Sequence, residues 1–100
     1  MAESVDEQFP AAVTALNEYR DIENRMGQPE VASNPDAIRK LGRRHAELGS
    51  IVSAYLNYKQ LCEDYEVASE MASEDEDLAK EAKHLEEQIP AAKEKLRTAL

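Results

Sequence analysis

From Pro35 to about residue 72 the chain runs without an interior proline, and its apolar residues keep helical spacing. Ile38, Leu41, Leu48, Ile51, Tyr55, Tyr58, Cys62 and Tyr65 fall on one seam. From Ile51 onward the steps are 4, 3, 4 and 3, the rhythm of a helix packed along its length against another. At about 1.5 Å per residue such a helix spans on the order of 55 Å. Two interior glycines, Gly42 and Gly49, each cost about 1 kcal/mol of helix propensity relative to alanine. They either allow a close neighbour or soften the helix locally.

Two flanking segments supply the covering faces. Phe9, Val13, Leu16, Tyr19, Ile22 and Met26 predict a helix over 10–26, with Pro10 in its first turn and Gly27 in a left-handed position after it. A connection over 27–34 follows. Asn34-Pro35-Asp36 then reads as a helix start, with Asn34 as the cap. Ser73-x-x-Glu76 has capping-box spacing and predicts a turn into a third helix over 74–99. Leu78, Ala82, Leu85, Ile89, Ala92 and Leu96 form its seam, and Pro90 predicts a kink or a break into 74–89 and 91–99. Folding back at the two connections sets residue i against roughly 62 − i in the first pair of helices and roughly 148 − i in the second. Leu16 then faces Leu48, Ile22 faces Leu41, and Cys62 faces Leu85 and Glu86. The expected architecture is all-α: elongated antiparallel helices with a three-helix centre near 48–55 and a long two-helix, coiled-coil-like hairpin. Residues 1–8 lack periodicity and read as a mobile tail, leaving 9–100 as one helical domain.

Charge narrows the function. Lys and Arg number 12 against 21 Asp and Glu, a formal net charge of −9. Such a balance opposes general binding to DNA or RNA, whose affinity comes from neutralising phosphates. No segment approaches the roughly 20 apolar residues of a membrane helix. The acidic N-terminus lacks the apolar stretch of a secretory signal. A lone cysteine, Cys62, excludes an internal disulfide and every Cys-pair zinc motif. These features suit the cytoplasm, with no membrane and no DNA among the partners. His45 and His84 stand on the order of 28 Å apart in this register, too far to share a metal or a proton. His45, Cys62 and the tyrosines read as seam residues. No phosphate-binding loop, nucleophile elbow or His-Cys dyad is present, so no catalytic residue, cofactor or metal site is expected.

Two charged surfaces remain. Arg39, Lys40, Arg43 and Arg44 lie away from the seam of the long helix. As an ordinary solvated face they would form i,i+4 pairs, Asp36 with Lys40 and Arg43 with Glu47. That leaves the like-charge pairs Arg39/Arg43 and Lys40/Arg44 unexplained, and a local basic surface on an acidic chain suits an RNA or acidic-protein contact. At the other pole Glu74, Asp75, Glu76 and Asp77, with Glu63, Asp64, Glu66 and Glu70 before them, form an acidic tip opposed only by Lys80. It serves either as a solvated turn or as a knob for a basic partner.

Particular residues also carry a family resemblance. Pro29-Glu30-Val31-Ala32-Ser33-Asn34-Pro35-Asp36, with Arg39-Lys40-Leu41, resembles the start of the bacterial peptide chain release factor 1 family. So does His45-Ala46-Glu47-Leu48-Gly49-Ser50-Ile51-Val52-Ser53-Ala54-Tyr55 with Tyr58-Lys59. Gly42-Arg43-Arg44 looks like actinobacterial members, whereas Cys62 and Pro90 depart from the family pattern. The resemblance covers roughly 9–100 and implies the N-terminal domain of a much longer factor that reads stop codons on the ribosome and triggers peptidyl-tRNA hydrolysis. The codon-reading tripeptide and the Gly-Gly-Gln tripeptide of the family do not occur here, so no catalytic role carries over. The implied partners are the ribosome, through rRNA and a stalk-base protein, and the GTPase release factor. Two other classes fit parts of the pattern. A coiled-coil adaptor needs only the seams, which also allow self-association. The tRNA-binding arm of an aminoacyl-tRNA synthetase needs a basic tip, and this tip is acidic.

Overall fold

The computed structural model describes residues 3–100. They form helices α1 (Val5–Gln8), α2 (Pro10–Met26), α3 (Pro29–Ala32), α4 (Pro35–Met71) and α5 (Glu76–Ala99), and no strand occurs among them. The fold is all-α, as the seams imply. The chain divides into two compact units, one reaching to Ser53 and one over Ala54–Ala99. Helix α4 contributes 35–53 to the first and 54–71 to the second.

In the first unit Ala15, Ile22 and Leu48 form the core, with Tyr19, Met26, Leu41 and Ile51 packed against it. Helix α2 presents small residues to its neighbours: Ala12 and Ala15 are buried, while Val13 and Leu16 of the expected seam are half-buried. The buried stripe thus runs through Ala12 and Ala15 in place of Val13 and Leu16, while Phe9 and Ile22 of the expected seam stay buried. Asn34 caps α4 as its sequence predicts, its Oδ1 accepting from the Asp36 and Ala37 amides at 3.1 and 3.2 Å.

Local punctuation differs from the sequence reading at several points. Gly27 is right-handed (φ −82°, ψ −9°), because its amide and that of Gln28 continue with tight bonds to Asn24 and Arg25. The 27–34 connection contains the helical turn α3, started by Pro29. The stretch read as a tail carries the turn α1, whose cap Ser4 accepts from the Glu7 amide at 3.1 Å; residues 1 and 2 of that stretch lie outside the described residues. Neither interior glycine of α4 is demanded by close packing. A methyl group at Gly42 meets open space, and one at Gly49 reaches only 4.0 Å from the Tyr19 ring.

In the second unit Ala68, Ala82 and Leu85 form a core bordered by Leu61 and Tyr65. Tyr55, Tyr58, Ala92 and Leu96 are also buried, Leu96 completely. The turn between α4 and α5 is closed by the Met71 carbonyl, which accepts from the amides of Glu74 and Asp75, each at 3.1 Å. Asp75, not Ser73, caps α5: its Oδ1 accepts from the Asp77 amide at 2.9 Å and the Leu78 amide at 3.4 Å. The expected Ser73-x-x-Glu76 capping box therefore does not form: the cap lies two residues later, at a carboxylate that the helix dipole favours, and Leu78 at the third helical position has no polar side chain to reach back. Helix α5 runs unbroken from Glu76 to Ala99 with Pro90 inside it. Pro90 and Glu86, whose carbonyl loses its usual partner, are both exposed, so water can serve that carbonyl.

Candidate partner-binding surface

The four cations of α4 are not equivalent. Arg39 donates to Asp36 at 3.1 Å, an exposed i,i+3 pair. Arg44 reaches out of its own helix to Glu18 of α2, joining both carboxylate oxygens, and its Nη1 also lies 3.3 Å from Glu47. The Arg44 guanidinium hydrogen-bonded to Glu18 holds that carboxyl below the ordinary range, partly opposed by burial. Glu18 and Glu47 in turn push the Arg44 pKa up. Lys40 and Arg43 are exposed and form no ion pair among the described residues. The i,i+4 pairs Asp36–Lys40 and Arg43–Glu47 expected from spacing are replaced by i,i+3 pairs, Asp36–Arg39 and Glu47–Arg44. Free positive charge on this face thus concentrates at Lys40 and Arg43.

His45 sits where α2 and α4 meet. Its ring stacks on Tyr19 with centroids 4.1 Å apart, and its Nε2 lies 3.3 Å from Glu23 Oε2. This side chain is packed, as its seam position implies, but one edge stays wet beside a carboxylate. In the second unit burial pushes the Cys62 thiol up, while the Tyr58 hydrogen bond and the charge of Lys93 pull it down and Glu63 raises it. Such a thiol resists ionisation and is a poor nucleophile. Burial, and then Cys62, also raise the Tyr58 phenol.

The acidic residues Glu74, Asp75, Glu76 and Asp77 are all exposed around the α4–α5 turn. Asp75 has a structural task as the cap, and Glu76 and Asp77 lie in the first turn of α5, where the helix dipole favours them. Among the described residues no three His, Cys, Asp or Glu side chains come together as metal ligands, and no helix is long and apolar enough to cross a membrane. Sequence reasoning missed Glu18, which is separated from Arg44 by 26 positions. It also missed Val67 and Met71, exposed apolar residues just before the turn. The first gives no local signal; the second pair was legible as apolar residues beside, not on, the seam.

What the described side chains offer is charged and apolar surface carried on packed helices. Residues 15–100 match the PCRF domain family, and the chain belongs to that family. It is 73% identical over 95 residues to peptide chain release factor 1 of Bifidobacterium adolescentis, across 95% of this chain and 26% of that protein. The counterpart from Bifidobacterium longum is 63% identical over 95 residues, with the same shares covered. The one from Renibacterium salmoninarum is 47% identical over 92 residues, across 92% of this chain and 26% of its own length. The chain spans about a quarter of the length of the curated relatives it matches. No solved structure matches it.

Proposed function

We propose that this chain is the N-terminal interaction module of a translation release factor that acts in the cytoplasm. The observation that carries this reading is the 73% identity to a peptide chain release factor 1 over 95 residues. On this reading the module helps the factor associate with the ribosome, through rRNA and a stalk-base protein, and with the GTPase release factor. Stop-codon reading and peptidyl-tRNA hydrolysis belong to other parts of the factor. The exposed pair Lys40 and Arg43 suits a phosphate-bearing surface, since neither has to give up an ion pair of its own to meet a phosphate. Arg39 and Arg44 flank that pair but are already engaged with carboxylates.

A chimera tests the reading. In the release factor of Bifidobacterium adolescentis, this chain replaces the segment it matches. Stop-codon-dependent peptide release on programmed ribosomes should proceed near the parent rate, while an unrelated helical hairpin at the same place should slow it. Release by the isolated 100-residue chain, or equal rates for both chimeras, would contradict the proposal.

A further inference from the structure

Helix α4 carries a second surface, on the side opposite its packed seam. Val67 is 58% exposed, Met71 47% and Leu56 44%. Val67 and Met71 are i,i+4 neighbours, so they lie one above the other. Leu56 lies eleven residues before Val67, three turns away, and falls on the same stripe. The seam of this half of α4 points elsewhere, through Leu61, Tyr65 and Ala68 toward α5. These apolar side chains therefore have no role in the core.

Along α4 and the turn that follows, their neighbours in sequence are of one sign. Between Lys59 and Lys80 there is no Lys or Arg, while Glu63, Asp64, Glu66, Glu70 and the 74–77 carboxylates fall in that interval. Among the described residues none of these forms an ion pair; Asp64 accepts only from Gln60, at 2.8 Å. Glu63 and Glu70 lie within one turn of Val67 on the same side of the helix. An apolar centre beside unpaired carboxylates repels nucleic acid and anionic lipid alike, whose charge is of the same sign. It also disfavours a second copy of this acidic chain. What it complements is a helix with an apolar stripe and a cationic polar face.

We propose that the outer face of α4 around Val67 and Met71 docks a basic amphipathic helix of a partner protein. The apolar stripe of that helix covers Val67 and Met71, and its Lys and Arg residues engage Glu63, Glu70 and Glu74. Apolar contact sets affinity, and the carboxylates set orientation and speed of encounter.

The probe is an 18-residue Leu/Lys peptide patterned as an amphipathic helix, titrated into the full 100-residue chain and followed by fluorescence anisotropy. Saturable one-to-one binding is expected, weaker at high salt. The pair Val67→Thr with Met71→Gln should weaken it about tenfold or more, as should Glu63→Gln with Glu70→Gln. A peptide of the same composition in scrambled order should bind at least about tenfold more weakly, having no continuous apolar stripe. Equal affinity for both peptides, or no loss in the Val67/Met71 variant, would overturn the proposal and leave only general attraction of a polycation. Circular dichroism checks that the variants keep their helicity. Amide chemical shifts of the unaltered chain give an independent reading: changes centred on Val67 and Met71 support the site, and changes centred elsewhere overturn it.

Discussion

Arg44 of α4 closes on Glu18 of α2 with both arms of its guanidinium, its Nη2 standing 3.0 Å from Oε1 while Nε binds Oε2. This contact joins the two helices beside the Ala15–Ile22–Leu48 core. It also withdraws one of four clustered cations from the surface. The basic face of α4 is thus partly structural, and only Lys40 and Arg43 remain as unengaged charge.

The Glu18 carboxyl binds its proton less readily in the folded chain than in the unfolded one. Its stabilising effect is present above the unfolded carboxylate pKa of about 4.3 and fades as pH falls through the lower folded value. Glu18→Gln should lower the thermal midpoint at neutral pH and low salt, and the difference should vanish in acid. A midpoint difference that persists at pH 2 would assign the effect to packing instead.

Leu48 is 2% exposed within the first core. Leu48→Ala should cost about 2–5 kcal/mol in denaturant unfolding, the range for truncating a buried leucine. Arg43→Ala, on the exposed face, should stay within about 0.5 kcal/mol. Comparable losses at the two positions would contradict the packing described for α4.

The cap of α5 gives a finer test. Asp75→Ala should cost about 0.5–2 kcal/mol, because two amides lose their acceptor. Ser73→Ala should cost little. The opposite order would restore the capping box that the sequence alone suggests.

Long-range helix pairing was legible because apolar spacing determines which face is buried and short connections determine what it meets. Tyr19 stacking on His45 and Glu18 reaching Arg44 agree with the antiparallel register of roughly 62 − i. The local punctuation was harder to read. Ser73 and Asp75 both suit a cap, and sequence spacing cannot tell which carries the turn. Gly27 permits a left-handed turn without requiring one. Pro90 signals a lost bond and a crowded carbonyl but does not fix whether the helix ends, and here the helix continues with that face exposed. The basic cluster was legible as a composition anomaly, but its division into engaged and free cations was not. Intrahelical spacing shows only neighbours three and four positions away, whereas Glu18 comes from another helix.

Cys62 and Tyr58 make stability depend on alkaline pH. Burial raises both groups, so the folded chain holds protons that the unfolded chain releases. Stability is full below the unfolded thiol pKa of about 8.5 and declines as pH rises above it. Denaturant midpoints between pH 7 and 10 should therefore fall in the parent chain. They should fall less in Cys62→Ala, which lacks the thiol, and an identical decline in both would remove Cys62 from this role.

The functional reading turns most directly on Lys40 and Arg43. Both are changed to Glu in the chimeric release factor that carries this chain, and ribosome association is followed by stopped-flow fluorescence at low and high salt. Interactions of exposed charges act mainly on encounter and are screened by salt. The double reversal should slow association several-fold at low salt, lose most of that effect at high salt, and leave helicity unchanged. An unchanged association rate at low salt would contradict the proposal that this face meets the ribosome.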